Sequence, residues 1–129
     1  MMKSKKPSVV VVDDDSMMRE MLRLILRSDD YEVIGEASDG GDAISLCEEL
    51  RPGLVLLDIN MPKMDGLQAL KEIRKVSPAT IVLMVSADAT MDKVREAVAL
   101  GASGFVVKPL NQASVLDKIA MCFKVKRKE

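Results

Sequence analysis

"VVVVDDDSMMRE", residues 9–20, decides how this chain is read. Four valines run without polar alternation into three aspartates, and a segment with helical spacing follows. An unbroken β-branched run suits a strand buried on both faces, as in a parallel sheet. Adjacent carboxylates at the end of such a strand repel one another, and burial adds to the cost unless something positive neutralises them. Fold and function both turn on what that positive partner is.

Working outward, "SVVVV" (8–12), "YEVIGEA" (31–37), "GLVLLD" (53–58), "TIVLMVS" (80–86) and "GFVVK" (104–108) all read as strands. Helical patterns alternate with them. Met18, Met21, Leu22 and Ile25 follow i, i+3, i+4, i+7 spacing, as do Leu116, Ile119, Ala120 and Phe123. Segments 40–50, 66–75 and 90–100 predict the remaining helices. Ser16 is placed to cap the first helix and Gly101 to stop the fourth. Met17 and Leu24 form a second stripe on the first helix, and Val115 and Cys122 lie off the main stripe of the last. Both pairs are expected to face partners. There is no repeat, low-complexity run or linker, so residues 1–129 are expected to form a single domain with a core at about 7–124 and short basic tails, "KSKK" and "KVKRK".

Composition narrows the function. The 129 residues suffice for a proper core. A net charge of -1 gives no support to nucleic-acid binding by the domain. Histidine is absent, and Cys47 and Cys122 stand apart, which argues against a Cys/His zinc site or a disulfide framework and suits a reduced, cytoplasmic protein. No apolar stretch reaches membrane-spanning length, and the start lacks a signal peptide's apolar segment, so no membrane role is expected.

Strands alternating with helices imply a parallel sheet covered on both faces. Such sheets bind ligands beyond the carboxyl ends of their strands. Here those ends carry Asp13 and Asp14, Asp58, Ser86, and Lys108 followed by Pro109. Asp13, Asp14 and Asp58 on one rim call for a cation. Mg²⁺, which takes oxygen ligands and one or two carboxylates plus phosphate, fits, and Lys108 supplies a second positive charge. Asp15 is read as a helix cap, favoured by the helix dipole.

Together, "VVDDDS", "LVLLDINMPKMDGL", "IVLMVSA" and "GASGFVVKPL" resemble the receiver domain of two-component response regulators, CheY-like proteins, over roughly residues 7–124. The resemblance implies a doubly wound α/β fold, with a five-stranded parallel sheet in the order 2-1-3-4-5 and five helices. It implies Asp58 as phosphoacceptor, Asp13 and Asp14 as the acidic pair holding Mg²⁺ (with Mn²⁺ able to substitute), and the Asn60 backbone carbonyl as a further ligand. It implies Ser86 as the hydroxyl switch position, Lys108 as the phosphoryl-contacting lysine, Phe105 as the aromatic switch, and a cis Lys108–Pro109 bond. Asn60 and Asp88 match positions that gate dephosphorylation. Leu110 stands where many members have Phe.

The implied function is a phosphorelay receiver, not an enzyme on foreign substrates, which promotes only its own phosphorylation and autodephosphorylation. Its implied partners are a histidine kinase or phosphotransfer domain, and a protein target at the face of helix 4, strand 5 and helix 5. Rival readings compete. A Mg²⁺-dependent aspartyl-phosphate phosphohydrolase would want a carboxylate where Asn60 stands. A flavodoxin-like carrier would need a phosphate-cradling loop where the aspartates lie. A receiver-like scaffold without phosphate chemistry would not need so complete a site. The stretch "YEVIGEASDGGDAI" also resembles receivers that precede DNA-binding domains, so an excised receiver of a transcriptional regulator stands beside a stand-alone protein.

Overall fold

The computed structural model describes residues 6–128, with side chains described through residue 124. Most of the amino-terminal "KSKK" and the side chains after Lys124 in "KVKRK" therefore lie outside the described residues. The elements alternate as the hydrophobic pattern requires: β1 (Ser8–Val12), α1 (Ser16–Ser28), β2 (Glu32–Ala37), α2 (Gly40–Leu50), β3 (Leu54–Asp58), α3 (Gly66–Val76), β4 (Ile81–Ser86), α4 (Met91–Ala99), β5 (Gly104–Val107) and α5 (Gln112–Lys128). The strands form one parallel sheet in the order β2-β1-β3-β4-β5. The backbone of α5 runs as helix to Lys128, where a tail was expected.

Period-two alternation sends each central strand to both faces of the sheet. Val10, Val12, Val55, Leu57, Val82 and Met84 pack beneath α2, α3 and α4. Val9, Val11, Leu54, Leu56, Leu83 and Val85 pack beneath α1 and α5. With both faces covered, β1, β3 and β4 have no polar alternation to keep. Burying each of these aliphatic side chains is worth about 1.5–3 kcal/mol.

The helices differ from expectation in detail. Asp15 caps α1, as its reading as a helix cap required, and Ser16 does not: the Asp15 backbone is extended and its carboxylate accepts from the Met17 amide at 2.9 Å, while Ser16 is already helical. Both residue types cap well, and the backbone angles at Asp15 settle which one does. On α1 the buried side chains are Leu22, Ile25 and Leu26, while Met21 is half exposed. On α5, Val115 and Cys122 are buried with Ile119, and Ala120 is exposed. Val115 and Cys122 thus belong to the core and cannot face a partner. Met17 and Leu24 are exposed, as the second stripe on α1 required. Gly101 follows α4 with φ +106°, a left-handed geometry that glycine adopts without strain.

Candidate functional site

The parallel register brings the polar strand ends together. Val12 pairs with Leu57, so Asp13 and Asp58 leave the sheet at one level on adjacent strands. These strands flank the point where the chain's order reverses, at which open α/β sheets leave a crevice. Asp58 lies beside Val85, one residue short of Ser86, and Ser86 pairs with Val107, one residue short of Lys108.

Asp13 and Asp58 are buried, and Asp14 is exposed. One carboxylate oxygen from each of the three lies within 4.8 Å of the others. The only cation paired with their carboxylates among the described residues is Lys108, whose Nζ stands 2.9 Å from Asp13 Oδ2 and 3.5 Å from Asp58 Oδ1. One ammonium thus pairs with two of three clustered carboxylates. Burial, then the neighbouring Asp13, pushes Asp58 up from an ordinary 3.8 to about 6, against the opposing pull of Lys108 and a backbone hydrogen bond at Asn60. Burial works against the charge on Lys108, yet the hydrogen bond to Asp13 and the charge of Asp58 outweigh it and raise its pKa.

The surrounding groups are tightly placed. The Asp15 amide donates to Asp13 Oδ1 at 3.0 Å. Ser86 is fully buried; its Oγ accepts from the Asp88 amide at 3.1 Å, and its carbonyl accepts from the Lys108 amide at 2.9 Å. The Lys108–Pro109 bond is cis. Asn60 is exposed beside Asp58, Asp88 is partly exposed, and Phe105 is partly buried against the α2–α3–α4 side of the core. At Gly66, any Cβ would collide with the Asp58 carbonyl oxygen. Its amide donates to the Ile59 carbonyl at 2.7 Å, so glycine there lets α3 begin directly behind the Asp58 backbone.

Two residues of this rim went unread in the sequence. Arg19 donates to the Asp13 carbonyl at 2.7 Å and pairs with Glu36 at 3.2 Å. The signal for Arg19 was its place in the first turn of α1, from which helical side chains lean back toward the amino end. Glu36 gave no comparable signal.

The donor set fits a hard divalent cation. Its ligands are all oxygen, they converge within 4.8 Å, and they carry more negative charge than Lys108 offsets.

A profile of the family "Response regulator receiver domain" matches residues 9–120. The chain is 40% identical over 111 residues to chemotaxis protein CheY of Thermotoga maritima, covering 86% of this chain and 92% of that protein. Among solved structures it resembles CheY in the CheX-CheY-BeF3-Mg²⁺ complex of Borrelia burgdorferi, with a TM-score of 0.88 and 34% identity over 90% of this chain and 88% of the other. It also resembles the signal receiver domain of the putative response regulator NarL of Mycobacterium tuberculosis, with a TM-score of 0.87 and 35% identity over 94% of this chain and 98% of the other. The chain belongs to the response regulator receiver domains, a family of signalling domains rather than conventional enzymes.

Proposed function

We propose that this domain receives a phosphoryl group on Asp58 and relays its presence to a protein target. The observation that carries the reading is a buried Asp58 beside two further aspartates and Lys108, at the switch point of the sheet. A carboxyl group titrating near 6 is ionised at neutral pH yet more basic than an ordinary aspartate, which suits a nucleophile. Its oxygen attacks the phosphorus of a phosphohistidine, the P–N bond breaks, the imidazole keeps that electron pair and is protonated, and an acyl phosphate remains on Asp58. Phosphoryl transfer asks mainly for positioning and charge stabilisation. Lys108 supplies a fixed positive charge beside the transferred group, and the Ser86 hydroxyl a hydrogen bond to it. Asp13, Asp14 and the Asn60 carbonyl would join Asp58 in holding Mg²⁺ or Mn²⁺, which when bound neutralises charge on the phosphoryl oxygens.

Loss of the phosphoryl group is autocatalytic and governed by Asn60 and Asp88, which flank the approach of water to phosphorus. Phosphorylation draws Ser86 toward the phosphoryl group and lets Phe105 turn inward, into the space behind it. The surface that responds is α4–β5–α5, where Met91, Val98, Val107 and Met121 are each more than half exposed. A histidine kinase or phosphotransfer domain docks on α1, where Met17 and Leu24 are exposed next to the acidic site. Residues 1–129 act as one receiver domain, working in the cytoplasm where a histidine kinase would phosphorylate it. Among the described residues no helix is long and apolar enough to cross a membrane.

The test is intact-protein mass after incubation with phosphoramidate and Mg²⁺. The native chain should gain about 80 Da, one phosphoryl group on a carboxylate, and Asp58→Asn should gain nothing. Stoichiometric labelling of Asp58→Asn would overturn the assignment.

A further inference from the structure

Arg19 leaves the first turn of α1 and reaches back to the carboxyl-end rim. Its Nη1 donates to the Asp13 carbonyl at 2.7 Å, and its Nε donates to Glu36 Oε1 at 3.2 Å. The other Glu36 oxygen accepts from Arg23 Nη1 at 2.9 Å. Every polar group of Asp13 is thereby engaged. Its amide donates to the Ala37 carbonyl at 3.1 Å, Oδ1 accepts from the Asp15 amide at 3.0 Å, and Oδ2 accepts from Lys108 at 2.9 Å. Arg19 ties β1, β2 and α1 together at the peptide that joins Asp13 to Asp14.

We propose that Arg19 is a positioning residue for the divalent-cation site: its two-armed grip on the Asp13 carbonyl and on Glu36 fixes the peptide from which the exposed Asp14 reaches the rim. The inference rests on the reading of Asp13, Asp14 and Asp58 as cation ligands. Two effects of Arg19 on a bound cation have opposite signs. Its positive charge disfavours a cation nearby, while its geometry holds the ligands in place. Glu36, shared with Arg23, offsets part of that charge, and the direct 2.7 Å hydrogen bond to the Asp13 carbonyl makes geometry the larger effect. Arg23 is the internal control, because it carries the same charge and pairs with the same glutamate but does not touch Asp13.

The experiment is calorimetric titration of MgCl₂ into the full chain and into Arg19→Ala, Arg19→Lys and Arg23→Ala, each checked for folding by circular dichroism. Arg19→Ala should weaken Mg²⁺ binding roughly tenfold, the low end for losing an outer partner of a metal ligand. Arg19→Lys keeps the charge but lacks the planar fork, so it should weaken binding to a similar extent. If Arg19→Ala fails to fold, Arg19→Lys carries the comparison. Arg23→Ala should stay within about twofold of the native chain, since only a screened charge is lost. Unchanged or tighter binding in the Arg19 variants, or equal weakening by Arg23→Ala, would overturn the positioning role while leaving the cation site standing. A native chain that binds no Mg²⁺ would overturn the cation site itself, and this inference with it.

Discussion

At the amino end of the sheet, the buried Thr80 hydroxyl donates to the Pro52 carbonyl at 2.7 Å and shares a 2.6 Å hydrogen bond with the buried Ser77 hydroxyl. Arg74 adds hydrogen bonds to the Pro78 and Thr80 carbonyls at 2.9 and 3.0 Å. At the carboxyl end, Asp13 and Asp58 are just as buried, but they share Lys108 and repel each other. Both rims place polar groups where water is scarce. In one, hydroxyls and a single guanidinium meet neutral carbonyls and no like charges are brought together, so the rim only stabilises. In the other, like charges are held together by a rigid parallel register and stay under-neutralised. That second arrangement destabilises the empty protein and prepares it to gain from a cation and a phosphoryl group.

The largest expected effect breaks the charged rim. Folding raises the Asp58 pKa, so the folded state holds the proton more tightly than the unfolded chain. Below about 4 both states are protonated and there is no penalty. As pH rises from 3.8 toward 6 the unfolded chain loses its proton first, and stability falls until both are ionised. The full penalty above that window is about 3 kcal/mol, from a shift of roughly two pKa units. Asp58→Asn should therefore be more stable than the native chain by about that amount at pH 7.5 without metal. The gain should vanish near pH 4. Urea unfolding of both proteins across that range is the check, and a gain independent of pH would contradict it.

The neutral rim should respond in the opposite direction. Thr80→Val leaves the Pro52 carbonyl and the Ser77 hydroxyl without their partner, at a cost of about 2 kcal/mol for buried groups left unsatisfied. That loss should be flat between pH 4 and pH 7.5 and unaffected by Mg²⁺, as the same urea titrations would show. A smaller change should act on rate alone. Asp88→Arg should slow phosphate release roughly tenfold by shielding the path of water, which needs only about 1.4 kcal/mol in the barrier. Its midpoint in urea should scarcely move. Equal decay of phosphorylated native chain, Asp88→Arg and Asn60→Arg at saturating Mg²⁺ would remove the gate from these positions.

The order of elements was readable because buried parallel strands need no polar alternation: "VVVV" and "LVLL" announce themselves. The charged rim was readable for a related reason, since aspartates and a lysine directly after such runs have few places to go. Choices between neighbours were not readable. Asp15 and Ser16 can both cap a helix, and only the extended backbone at Asp15 distinguishes them. On α5, stripes through Leu116 and through Val115 both include Ile119, and the contact with α1 and the sheet decides that Val115 and Cys122 turn inward. The Arg19–Glu36 clamp was out of reach because it joins residues 17 apart, one on α1 and one on β2, and the register of β2 against β1 shifts between Val9 and Val10. Nothing local encodes that meeting.

The difference between the rims is tested most directly by thermal unfolding at pH 7.5 with and without Mg²⁺, for the native chain, Asp58→Asn and Thr80→Val. A cation that binds only the folded state adds about 2.7 kcal/mol at a hundredfold excess over its Kd. The native chain and Thr80→Val should gain the same rise in melting temperature, and Asp58→Asn clearly less, because it has lost both a ligand and the repulsion that the cation relieves. An equal rise in all three proteins would contradict the account, for it would place the cation somewhere other than beside Asp58.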